Sequence, residues 1–95
     1  MAQNTTITCE AGEWTLLTNG PVDAIRAVHL GTEGIWLQAA VGLNPPASTA
    51  GAVPLLPNQV LAADISLVQL FPGIAGADRV YAFAPATTKV SVSHA

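Results

Sequence analysis

Turn-forming residues cut this chain into runs too short for long helices. Glu10-Ala11-Gly12 ends TTITC (Thr5–Cys9), Thr18-Asn19-Gly20-Pro21 ends EWTLLT (Glu13–Thr18), and Pro72-Gly73 and Pro85 divide the C-terminal part. Asn-Gly and Gly-Pro steps favour turns over continued helix or strand. Several of the runs between them alternate with period two. In TTKVSVS (Thr87–Ser93), Val90 and Val92 face one way and Lys89, Ser91 and Ser93 the other, as in a strand with one buried face. In IWLQAAV (Ile35–Val41), Ile35, Leu37, Ala39 and Val41 share a face opposite Trp36, Gln38 and Ala40. About six to eight such strands predict an all-β fold. The expectation is a small antiparallel β-sandwich or jelly-roll-like barrel with a long proline-rich loop, spanning residues 1–95 as one domain.

Two segments also admit a helix. VDAIRAVHL (Val22–Leu30) holds the helix formers Ala24, Arg26 and Ala27, but it is short, carries β-branched Val22, Ile25 and Val28 and ends at a glycine. A strand is therefore expected, paired with IWLQAAV as a hairpin across Gly31-Thr32-Glu33-Gly34. VLAADISLVQLF (Val60–Phe71) is the second such segment, although Ile65, Val68 and Phe71 also suit an extended strand. The polar segment Met1–Thr6 is a candidate arm.

Charge is scarce. Three basic and six acidic side chains make 9% of the residues, against a usual share of about 25%. A folded monomer of 9.7 kDa exposes on the order of 5,000 Å². Contiguous apolar patches must then reach the surface, and these mark interaction sites. A homo-oligomer or a component of a larger assembly is expected. Arg26, Arg79 and Lys89 are too few and too scattered to neutralise a phosphate backbone, so no nucleic-acid partner is expected. The single Cys9 excludes an intrachain disulfide. MAQNTTITCE has neither the basic start nor the apolar run of a classical signal peptide, so synthesis in the cytoplasm is expected.

The stretch LNPPASTAGAVPLLPNQ (Leu43–Gln59) holds four of the seven prolines, and no charged residue occurs from Gly34 to Ala63. Its prolines, glycine and polar residues interrupt any apolar helix of about twenty residues, so no membrane span is expected. Disordered linkers seldom carry AVPLLP, and proline lowers the entropy lost on ordering. The stretch reads as a stiffened arm or crossover lying against its own sandwich and a neighbouring subunit. Pro45, Pro46, Val53, Leu55 and Leu56 are the interface candidates.

Patterns that carry chemistry are missing. Cys9, His29 and His94 share no zinc-ligand spacing, and the acidic residues are dispersed rather than gathered in a calcium loop. No Gly-x-Ser-x-Gly elbow, Walker loop or dinucleotide fingerprint occurs. Neither a metal, a cofactor nor enzymatic activity is expected. The aromatic residues Trp14, Trp36, Phe71, Tyr81 and Phe83 are expected to fill the core, Trp14 foremost. An exposed Trp36 beside Tyr81 would instead form a sugar-stacking platform.

The order of EWTLLT, a hairpin, VGLNPPAS and GAVPLLPNQ, then LFPGIAGADRVYAFAP and TKVSVSHA, covers about Glu13 to Ser93. It resembles the small β-sandwich structural proteins of tailed-bacteriophage virions, particularly head decoration (cement) proteins. The resemblance implies a non-catalytic virion protein, a homotrimer on three-fold or quasi-three-fold positions that binds the major capsid protein and stabilises the assembled shell. The rival expectation is a tail-tip or fibre-associated module that binds a carbohydrate or receptor, because no capsid-binding arm is recognisable.

Overall fold

Eight strands and one helical turn make up the computed structural model, which describes residues 2–95. The strands are β1 (Gln3–Cys9), β2 (Trp14–Leu16), β3 (Arg26–His29), β4 (Ile35–Ala40), β5 (Val53–Leu55), β6 (Val60–Leu61), β7 (Arg79–Phe83) and β8 (Thr88–His94), with α1 at Leu67–Leu70. They form two four-stranded sheets, ordered β1-β8-β3-β6 and β2-β7-β4-β5, and every ladder is antiparallel. The all-β sandwich expected from the turn spacing is the observed fold.

Alternation decides which side chains meet between the sheets. The first sheet turns Cys9, Ala27, Val90 and Val92 inward, and the second turns Ile35, Leu37, Ala39, Leu55, Val80 and Ala82 toward them. Leu17, Ile25, Leu67 and Phe71 close the same cluster from the connections and the helical turn. Among the described residues, Phe71 is the sole aromatic ring in this core; the rest is aliphatic, with many alanines.

The route between the sheets differs from the sequence reading. β3 and β4 do not form a hairpin: β3 pairs with β8 and β6, whereas β4 pairs with β7 and β5 in the other sheet. Residues 30–34 cross from one sheet to the other, a gap of about 10 Å that a few extended residues span. His29 fixes this crossing from inside. Its fully buried ring accepts the Gly31 N–H at Nδ1 (3.2 Å), which leaves Nε2 to donate to the Glu33 carbonyl. The His29 backbone meanwhile holds the β5–β6 crossing, accepting from Asn58 N (2.9 Å) and donating to the Gln59 carbonyl (3.3 Å). Among the described residues, the only sequential strands that share a sheet are β4 and β5.

Three further expectations are corrected. The stretch Leu43–Gln59 is not one long proline-rich loop. It divides into the β4–β5 connection, strand β5 and a tight turn where Asn58 takes a left-handed φ of 64°. Val60–Phe71 is neither one strand nor one helix: β6 takes Val60–Leu61, and Ser66 then caps a single helical turn. Its hydroxyl accepts from Gln69 N while the Gln69 side chain accepts from Ser66 N, a capping box. Of the candidate arm, Gln3–Thr6 lie in β1, each in register with a residue of β8, and Met1 falls outside the described residues.

Candidate functional site: the outer face of the second sheet

Residues directly opposite in an antiparallel ladder share a face. The registers Trp14 with Phe83, Trp36 with Phe83 and Trp36 with Pro54 therefore draw one row across all four strands on the side away from the core. A second row, two residues along, holds Leu16, Tyr81 and Gln38. Four of the five aromatic residues of the chain thus stand on one outer face. Trp14 and Phe83 pack ring against ring with centroids 5.4 Å apart and planes tilted by 56°, within the separation at which aromatic pairs attract. Trp36 is 39% exposed and Pro54 is exposed beside it.

This overturns the expectation that Trp14 fills the core. The reason lies in β7, where Val80 and Ala82 point inward and are buried in the core cluster. Strand parity then sends Tyr81 and Phe83 outward. The signal was present in VYAFA as aromatics alternating with small aliphatics, and Phe83 and Trp14 are the site residues the sequence reading missed. Tyr81 does not form a platform with Trp36. It is only 4% exposed, flanked by Leu16 and Gln38 in its row.

The interface candidates separate. Val53 and Leu55 pair with Leu37 and Ile35 and point toward the core with them, Leu55 buried at 4% exposure and Val53 half-buried. Leu56, the next residue, is 56% exposed. Pro45 is exposed and Pro46 half-buried, both in the β4–β5 connection, and the registers place neither in the aromatic rows.

Charge touches this face at one end. Arg79, opposite Ala40, forms an ion pair of 3.1 Å with Asp78. The Gly42 N–H, presented by a left-handed φ of 63°, donates to Asp78 Oδ1 at 2.9 Å. That hydrogen bond, and then the Arg79 guanidinium, holds the Asp78 carboxyl below the usual range, against the opposing effect of desolvation. At the other flank Gln38 donates to the Ala50 carbonyl (3.4 Å), while its buried Oε1 lacks a partner among the described residues. Gln38 borders a shallow cleft of about 320 Å³ shared with Gly51, Pro72 and Ile74.

The outer face of the first sheet is of opposite character. Asn4, Thr6 and Thr8 of β1 sit opposite Ser93, Ser91 and Lys89 of β8, with Arg26 beyond them reaching Ser91 Oγ at 3.4 Å. A larger cleft of about 400 Å³ is lined by Asp23, Asp78 and His94. Among the described residues no three His, Cys, Asp or Glu side chains converge as metal ligands. Burial pushes the Cys9 thiol up, partly offset by a hydrogen bond with Thr15, so it stays protonated and unreactive in the folded chain. No family model, curated protein or solved structure matches the chain.

Proposed function

We propose that this protein acts by adhesion rather than catalysis, as a head decoration protein that binds the outside of an assembled phage capsid through the outer face of its second sheet. The observation that carries the reading is the row of Trp14, Phe83, Trp36 and Pro54, an apolar strip left on the surface of a chain with little charge to cover it. Tryptophan and tyrosine dominate binding energies where they sit centrally in an interface.

The size of the strip bears on how it binds. Four strands about 4.8 Å apart and two rows about 7 Å apart cover on the order of 200 Å². A stable pairwise complex takes about 800 Å² from each partner. One copy alone therefore holds weakly, and several copies linked on a repeating lattice hold well through effective concentration. Binding only the assembled shell of the major capsid protein stabilises that shell by mass action. In this reading the protein is a virion component, and the homotrimer on three-fold positions is the arrangement the resemblance implies.

The carbohydrate-binding alternative is favoured by the same three rings, on which a sugar face could stack. It has few of the placed polar groups that orient a sugar: besides the indole N–H groups of Trp14 and Trp36, the two rows offer the Gln38 amide and the hydroxyl of Tyr81, which is only 4% exposed. The test is co-sedimentation with assembled capsids. The wild-type chain is expected to pellet with them and Trp36→Glu to remain in solution with unchanged β circular dichroism. A variant that still pellets, or wild-type tryptophan fluorescence quenched by sugars without capsid binding, overturns the reading.

A further inference from the structure

We propose that strand β1 is a pairing edge and that it takes a second copy of this chain, antiparallel about a two-fold axis through Thr6. Each sheet has two edge strands, and three of the four edges are blunted. β6 is two residues long, β2 is three, and β5 carries at its centre Pro54, which has no N–H to offer. β1 is seven residues long, holds neither proline nor a charged side chain, and pairs with β8 at every position without a bulge. Beyond that ladder, no backbone group of Gln3–Cys9 has a hydrogen-bond partner among the described residues. A row of amides and carbonyls therefore faces outward along about 24 Å of strand. Long neutral edges of this kind template pairing with another strand.

A second copy fits this edge on its own chemistry. Antiparallel pairing centred on Thr6 sets Thr6 against Thr6, Thr5 against Ile7, Asn4 against Thr8 and Gln3 against Cys9. Each residue meets one of its own parity, so inner face joins inner face. Half-buried Ile7, already packed against the core, gains cover from Thr5 of the second copy. Threonine pairs across strands are favourable, and no like charges are opposed, since Glu10 falls opposite Ala2 beyond the ladder. Head-to-tail growth is blocked because β6, the far edge of the same sheet, offers only two residues. The contact is therefore isologous and closes as a dimer, one continuous eight-stranded sheet. This dimer stands in place of the homotrimer that the resemblance implies; it goes beyond the adhesion reading and leaves the aromatic face free.

A strip one strand wide buries less than the ~1,600 Å² of a tight complex, so the dimer is expected to dissociate in the micromolar range. Sedimentation equilibrium of the wild-type chain over a concentration series is expected to show a reversible monomer–dimer transition. Thr6→Lys, which places two ammonium groups together on the axis, is expected to raise the dissociation constant at least ten-fold with unchanged circular dichroism and melting. Thr6→Cys is expected to give a disulfide-linked dimer on mild oxidation, and Thr49→Cys, exposed in the β4–β5 connection of the other sheet, is expected not to. A wild-type chain that is monomeric or trimeric at high micromolar concentration overturns the proposal. So does a folded Thr6→Lys chain that dimerises as well as wild type, or a Thr6→Cys chain that does not cross-link. Capsid binding is read by pelleting and pairing by mass, so either can fail without the other.

Discussion

Leu55 and Leu56 are adjacent and chemically identical, and the structure assigns them opposite roles. Leu55 lies between the sheets at 4% exposure, opposite Ile35, while Leu56 is 56% exposed on the β5–β6 turn. Replacing Leu55 with alanine removes three carbon groups from the core, about 2.4 kcal/mol of transfer free energy at ~0.8 kcal/mol each. The cavity left behind adds to this, although β5 is an edge strand whose neighbours can partly collapse into the space. A loss of about 2.5–3.5 kcal/mol is expected, within the usual Leu→Ala range. For a domain of this size that lowers the melting temperature by roughly 10–25 °C. Leu56→Ala removes the same atoms from a largely solvated site and is expected to cost no more than about 0.5 kcal/mol, or roughly 4 °C. Urea unfolding followed by circular dichroism, both variants at one protein concentration, separates the two outcomes. Equal losses, or a Leu55→Ala loss below about 1 kcal/mol, would falsify the inward register of β5.

Gly31→Ala is expected to destabilise the fold by about 1–3 kcal/mol, because the added methyl group would meet the Thr88 side chain and His29 Cε1 at 2.7 Å; Gly73→Ala, into open space, is the near-neutral control by thermal melting. Asp78 has a folded-state pKa below its unfolded value, so its contribution is present above the ordinary carboxylate range and is lost as pH falls through the folded value. Asp78→Asn should therefore flatten the acid limb of a stability–pH curve below about pH 4 and lower stability at neutral pH. Cys9, buried and protonated, should react with a thiol reagent at pH 8 only on unfolding, so native labelling as fast as in denaturant would contradict its placement.

How much of this was legible in the sequence depends on how local each feature is. TTKVSVS gave β8 because parity and burial coincide there: Val90 and Val92 are fully buried and Lys89 is exposed. IWLQAAV gave β4 for the same reason over Ile35–Ala40. The crossing at residues 30–34 was not legible, because a connection of that length serves a hairpin and a sheet-to-sheet crossing equally well. What selects the crossing is β3 docking on β8, some sixty residues away, and the buried His29 ring that ties the turn. The capping box of Ser66 and Gln69 was visible as a motif, yet a single helical turn leaves no periodicity to detect. Trp14 was placed wrongly because periodicity reports that two faces differ without reporting which one is the core. Ring size argued for the inside, and the small inward residues Ala27, Ala39, Ala82 and Ala84 argued, correctly, that little room exists there.

That inversion connects the low charge to the mode of action proposed. A chain with only nine Lys, Arg, Asp and Glu side chains covers much of its surface with neutral polar groups. The hydroxyls and amide of Asn4, Thr6, Thr8, Ser91 and Ser93 do this on the outer face of the first sheet, helped by Arg26 and Lys89. Alanine fills much of the core, so the two sheets close without the large rings, and those rings are left for the outer face of the second sheet. Aromatic area placed there contributes less to folding than it would inside, and in the reading proposed it is buried later, against another surface. In the adhesive reading proposed, the polar outer face meets water and the aromatic one meets a partner.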